Sequence, residues 1–195
     1  MNQRADWHRF ILASASPRRK LLLENIGLEF EVYISDIDEH VEENMPVEIR
    51  VMELSRLKAA SAAARFADAV VIAADTLVSV GGKVLGKPES RDEAAEMLLR
   101  LSGRKHDVYT GVTVALGGEI RTGYELTEVY FKGLTAREID RYIDTGEPMD
   151  KAGAYGIQER GALMVKKING DYFNVMGLPL HRMAQLLSEL GVCIF

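Results

Sequence analysis

Residues 69 to 88 read AVVIAADTLVSVGGKVLGKP, and most of the architecture follows from this stretch. Ala69 to Ala74 is an unbroken apolar run, the composition of a strand covered on both faces rather than one half-exposed to water. The extended pattern continues through Asp75 to Val80, Gly81-Gly82 signals a tight hairpin, and the chain returns as Lys83 to Lys87 before Pro88. A two-residue turn sets Val80 opposite Lys83 and Thr76 opposite Lys87, which brings Lys87 near Asp75; a longer turn shifts the register and the face.

Upstream of it, Phe10 to Ser14 predicts a short apolar strand. Ser16-Pro17 then opens a helix with apolar positions Leu21, Leu22 and Ile26 that ends at Gly27. Glu29 to Ser35 alternates as a half-buried strand does, an acidic loop runs from Asp36 to Asn44, and an alanine-rich helix spans Val47 to Phe66. Downstream, Ser90 to Leu101 is an amphipathic helix with Ser90 as N-cap and Glu93 at the capping-box position. Asp107 to Leu116 and Ile120 to Lys132 form a hairpin about Gly117-Gly118, followed by a helix from Thr135 to Asp144. After Gly153, Gly156 and Gly161 come a strand from Ala162 to Ile168, Asn169-Gly170, and a last helix from Pro179 to Leu190. This alternation predicts an α/β fold: a mixed twisted sheet flanked by helices, in two lobes with a central cleft, as one domain over residues 1–195.

A chain of 195 residues buries a core without crosslinks, and its one cysteine, Cys193, excludes an intrachain disulfide framework. With 24 basic against 29 acidic residues, the net charge of −5 provides no general attraction to a nucleic acid polymer or an anionic membrane. The absence of a signal peptide or a spanning apolar run predicts a cytoplasmic location. Any anionic partner must be held locally.

The segment Ser14-Ala15-Ser16-Pro17-Arg18-Arg19 puts two arginines in the first turn of a helix, where the macrodipole disfavours cations by about 0.3–1 kcal/mol each. A bound anion reverses that penalty, and serine hydroxyls, free N–H groups and guanidinium forks together suit phosphate; the alternative is a solvated basic turn. Asp75 interrupts an apolar run, so it is expected at a strand end facing a cleft, as a cation ligand or a base for water, or else bonded to backbone N–H groups. Lys87 then pairs with Asp75, binds phosphate beside it, or lies on the surface. Lys58 falls on the apolar stripe Val47, Val51, Leu54, Leu57 and Ala62, which calls for an anion unless its stem snorkels to water. Asp36, Asp38 and Glu39 are crowded as Mg²⁺ ligands are, or simply solvated. His8, His40, His106 and His181 show no ligand spacing, and His106 is expected to be a hydrogen-bonded structural residue.

Taken together, Ser-Ala-Ser-Pro-Arg-Arg at 14–19, Ala-Asp-Thr at 74–76, Gly-Lys-Pro at 86–88 and Asp-Lys-Ala-Gly-Ala-Tyr-Gly-Ile-Gln at 150–158 resemble the Maf family in order and spacing. Leu101-Ser102-Gly103 with His106, Gly-Asp-Tyr at 170–172 and Gly-Leu-Pro at 177–179 extend the likeness over nearly the whole chain. The resemblance implies a fold similar to the inosine triphosphate pyrophosphatases, a divalent metal (Mg²⁺ or Mn²⁺), and release of pyrophosphate from a nucleoside triphosphate. It implies that Asp75 is the proton acceptor, that Ser14, Arg19, Glu39, Lys58 and Lys87 complete the site, and that Arg18, Thr76 and Gln158 bear on substrate choice. Asp75 and Glu39 are the expected metal ligands. The Gly-Ile-Gln ending resembles the branch that acts on dTTP and UTP. A pyrophosphatase for modified purine triphosphates, or a nucleotide-binding regulator of cell division with little turnover, are the alternatives, and a homodimer is common in such families.

Overall fold

In a computed structural model, which describes residues 8–34, 37, 41–42 and 44–194, the quoted stretch is the centre of a seven-stranded mixed sheet. Strand β3 (Val70–Val80) is flanked on one edge by β5 (Lys105–Leu116), antiparallel from Val71↔Ala115 to Ser79↔Asp107. The other edge is shared end to end. Strand β1 (Phe10–Leu12) runs parallel beside Val70–Ile72, and β4 (Lys83–Leu85) returns antiparallel beside Val78–Val80. No described strand pairs with residues 73–77 on that edge, so the sheet is split there. Strands β6 (Glu119–Phe131) and β7 (Val165–Asn169) extend it beyond β5, and β2 (Glu31–Val32) lies outside β1.

Helices cover both faces, as the apolar run of β3 requires. Helix α2 (Val47–Arg65) lies on one face, where Ala59 and Ala62 pack against Ile11, Val71, Ala73 and Ala115. Small side chains on both partners let it approach closely, and at Gly111 the approach is extreme: a Cβ there would lie 2.1 Å from the Val51 carbonyl oxygen. On the opposite face, α1 (Pro17–Asn25) and α6 (Leu180–Glu189) bury Leu22, Leu23, Met183 and Leu187 against Leu12, Ile72 and Val112. At the far end of β3, α3 (Arg91–Leu101) and α4 (Ala136–Ile143) pack Leu98, Leu101 and Ile139 on Val78, Val80, Val108 and Val129. Each fully buried leucine contributes about 1.5–3 kcal/mol of burial. The two ends of β3 thus belong to different clusters, and Asp75, Thr76 and Leu77 between them are half-buried.

The N-caps of α3 and α4 are made by their own side chains. Ser90 accepts a bond from the Glu93 N–H, while the Glu93 carboxyl reaches the N–H of Glu89, one residue before the cap. Thr135 and Glu138 close a full capping box on α4. Several boundaries differ from expectation: the half-buried strand expected over Glu29 to Ser35 is only Glu31–Val32, both exposed, and β5 begins two residues early, at Lys105. Strand β1 stops at Leu12 and β4 at Leu85, because Ser14 and Lys87 turn away toward the split, and residues 162–164 form part of a 3-10 turn (Arg160–Met164) rather than a strand. A short helix, α5 (Tyr172–Met176), went unforeseen; the Asp171 side chain caps it and Gly177 ends it at φ 107°. None of the described helices is long and apolar enough to cross a membrane.

His106 is buried under Phe131 and Tyr155, with Nε2 2.8 Å from the Tyr155 hydroxyl. Nδ1 is buried with no hydrogen-bond partner among the described residues. Burial therefore disfavours the imidazolium and lowers its pKa from 6.5 to about 4. Between those values the unfolded chain binds the extra proton, so the contribution is whole above about pH 6.5 and is lost as pH falls toward 4. One ring accounts for about 3 kcal/mol at most. Denaturant titrations at neutral and acidic pH should show a markedly smaller acid-induced loss in His106→Gln than in the parent; equal losses would remove His106 as the cause.

Candidate functional site

The split in the sheet is where the loops after β1 and β4 meet. Beyond β1, the Ser14 hydroxyl accepts bonds from the Ser16 N–H (3.3 Å) and from Nη1 of Arg19 (2.9 Å). Ser16 occupies the N-cap of α1 with extended backbone, yet its side chain makes no capping bond, and no acidic residue stands in the first turn. The start of the helix carries positive potential toward the split. Arg19 is only 8% exposed: Nε donates to the Gly177 carbonyl at 2.7 Å and Nη2 to the Thr76 hydroxyl at 3.1 Å. One guanidinium thus ties the loop after β1, the middle of β3 and the end of α5 together. Thr76 is further fixed by Thr110 at 3.0 Å.

Asp75 lies in the middle of an eleven-residue strand, not at a strand end as its sequence context suggested. It escapes full burial because neither β1 nor β4 reaches it. Its partner is Lys58, whose Nζ donates to Oδ1 at 2.6 Å; the two side chains are 13% and 14% exposed. The expectation of an anion for Lys58 on the helix face is met by this carboxylate; pairing with Asp75 was one of three alternatives that the register left open for Lys87. Gly111 explains the reach: it is the ladder partner of Asp75, and its missing side chain lets α2 rest directly on the strand, two turns before Lys58. A buried bond between Ser55 and Thr113 (2.8 Å) fixes the helix in that position.

Around this pair lies a cleft of about 650 Å³, within the size range of small-molecule sites. Ser14, Arg18, Arg19 and Thr76 line one side, Lys58 and Asp75 the floor, and Lys87 and Gln158 also contribute. The structure therefore brings together every predicted site residue except Glu39, which lies outside the described residues with Asp36 and Asp38. Val80 faces Lys83 as the two-residue turn required, and Lys87 follows the end of β4 at the cleft.

Asp150 and Lys151 also line the cleft and carried no assigned role in the sequence. Asp150 accepts bonds from Nη1 of Arg18 and Nζ of Lys151, each at 2.8 Å. Burial raises the Asp150 pKa, but the bonds and charges of Lys151 and Arg18 outweigh it and hold the carboxyl below the usual carboxylate range. The sequence signal for Asp150 and Lys151 was their place at the head of the 150–158 motif, which gave them no individual role. Among the described residues there is no cluster of three or more His, Cys, Asp or Glu able to hold a metal. What the walls offer is a local excess of cations, one half-buried carboxylate fixed by a lysine, and an uncapped helix start. Such a surface suits a polyanion and can present a water molecule to it.

A family model described as "Maf-like protein" matches residues 9–190. A protein of Moorella thermoacetica named dTTP/UTP pyrophosphatase is 52% identical over 189 residues, covering 96% of this chain and 97% of its own. One of the same name from Symbiobacterium thermophilum is 50% identical over 186 residues, covering 95% of each. Among solved structures, a HAM1 protein from Coxiella burnetii superposes with a TM-score of 0.53 at 16% identity, covering 93% of this chain and 99% of that one. That last likeness concerns the fold alone.

Proposed function

This chain belongs to the Maf-like protein family, and from that premise we propose that it hydrolyses dTTP and UTP to the nucleoside monophosphate and pyrophosphate. The observation that carries the chemistry is the Asp75–Lys58 pair at 2.6 Å on the floor of a cleft whose other walls are rich in cations.

The triphosphate lies along the start of α1, where N–H groups, the Ser14 hydroxyl, Arg18 and Lys87 neutralise its oxygens. Arg19 acts from behind, holding Ser14 and Thr76 in place while adding its charge. Lys58 fixes the orientation of the Asp75 carboxylate. Asp75 then orients a water molecule in line with the α-phosphorus and accepts its proton as the P–O bond to the leaving pyrophosphate breaks. Lys58 and Lys87 compensate the charge that gathers on the leaving group.

A divalent ion fits this setting as a partner of the substrate rather than as a caged cofactor. Mg²⁺ is commonly held by one or two carboxylates plus substrate phosphates. Asp75 is the described carboxylate available at the floor, and Glu39 is the proposed second ligand. When bound, the ion supplies charge neutralisation to the phosphates. Base choice falls to Gln158, whose amide answers the adjacent carbonyl and N–H of uracil or thymine with one donor and one acceptor.

Incubation with a panel of triphosphates should release pyrophosphate and monophosphate from dTTP and UTP in preference to GTP and ATP. Chelation should stop turnover and Mg²⁺ or Mn²⁺ restore it. Release of orthophosphate and a diphosphate instead would place the cut at the wrong bond and reject the mechanism.

A further inference from the structure

Gln158 is exposed in the cleft, yet the backbone that carries it is held from a buried polar centre on its other side. Glu147, 9% exposed, is not among the cleft-lining residues. Its Oε1 accepts the Tyr142 hydroxyl at 2.8 Å and the Gly161 N–H at 3.2 Å; its Oε2 accepts the Arg160 N–H at 3.1 Å. The Tyr142 oxygen in turn accepts the Gly156 N–H at 3.0 Å. One carboxyl and one phenol thus grip the chain at 156 and again at 160 and 161, on both sides of Gln158.

Nearby contacts show how closely this stretch is constrained. Lys151, 7% exposed, donates to the Glu147 carbonyl at 2.7 Å, and a Cβ on Gly156 would lie 2.6 Å from the Lys151 side chain. A Cβ on Gly161 would meet the Gly156 carbonyl at 2.2 Å. Ala154, fully buried, is held at φ 57°, a conformation that a non-glycine residue keeps only when its surroundings enforce it. Tyr155 and Ile157 are buried in different core clusters, so the chain crosses from one to the other immediately before Gln158.

We propose that Glu147, acting with Tyr142, is a positioning residue for base selection: it fixes the backbone that aims the Gln158 amide, and discrimination between pyrimidine and purine triphosphates depends on it. This rests on the pyrophosphatase function proposed above. A side chain that merely supports the fold would lower activity on every substrate alike. A positioning residue lowers the ratio between substrates, because a two-point bond to a base edge fails when its donor and acceptor move.

The test measures kcat/KM for dTTP and for GTP in the parent, Glu147→Gln, Tyr142→Phe and each combined with Gln158→Ala. The dTTP preference should fall about tenfold in each single variant. Once Gln158 is already truncated, neither change should alter the ratio further. Trypsin should also cut after Arg160 faster in both single variants. Tyr142→Phe removes one oxygen and keeps the ring, so it decides the matter should Glu147→Gln not fold. A preference unchanged within twofold, or the same further loss without the Gln158 amide, overturns the proposal while leaving the pyrophosphatase function standing. A parent enzyme with no preference for dTTP overturns both.

Discussion

Asp75→Asn should give a folded protein that still binds dTTP but turns it over about a thousandfold more slowly, within the range of about 10²–10⁴ for loss of a general base. The substitution is nearly isosteric, and its amide oxygen can still accept the 2.6 Å bond from Lys58. What it removes is the negative charge and the capacity to take a proton from water. Binding of dTTP without a divalent ion should hold or tighten, because a carboxylate no longer faces the phosphates, while loss of an ion ligand should raise the Mg²⁺ concentration that turnover requires. Calorimetric binding of dTTP alongside pyrophosphate-release kinetics separates the two effects. Turnover within tenfold of the parent would take the general base away from Asp75, and loss of binding together with folding would make the residue structural.

The second large effect is expected at a residue with no side chain, the ladder partner of Asp75. Gly111→Ala would place a methyl 2.1 Å from the Val51 carbonyl oxygen and 2.7 Å from the Met52 nitrogen, both backbone atoms of α2. Neither can yield by a rotamer change, so the whole helix must lift. Overpacking of this kind costs about 1–3 kcal/mol and sometimes more, and a contact against backbone belongs at the upper end. Lifting α2 also draws Lys58 from Asp75, and a displacement of about 1 Å can lower turnover on the order of a hundredfold. Gly133→Ala, where a Cβ meets nothing within 4 Å, should stay within about 0.5 kcal/mol of the parent and provides the control. Urea titrations of both variants, with kinetics under folding conditions, test this; a Gly111→Ala protein of parental stability and activity would show that the helix does not set the Lys58–Asp75 distance.

These two positions differ in how visible they were. Asp75 stood out because a carboxylate broke an apolar run, and Ser14 to Arg19 stood out because cations sat at the wrong end of a helix. Both are local contradictions of propensity, legible without a partner in view. Gly111 sits within the run Tyr-Thr-Gly-Val-Thr, where nothing local distinguishes a close approach from a bulge. Glu147 looked like an ordinary loop acid and Asp150 only headed the 150–158 motif, until Tyr142, Lys151 and Arg18 were seen around them.

The sequence by itself determined the order of the strands and of every helix but α5, the Gly81-Gly82 turn with Val80 facing Lys83, and which charged side chains lacked a local reason to be where they are. Periodicity, caps and turn chemistry act between residues a few positions apart, so they are written in the chain. Only the tertiary structure decided that β1 and β4 share one edge of β3 and leave Asp75 open between them, and that Lys58 rather than Lys87 is its partner. Those outcomes depend on which distant surfaces bury the most apolar area together, and no local pattern encodes that choice.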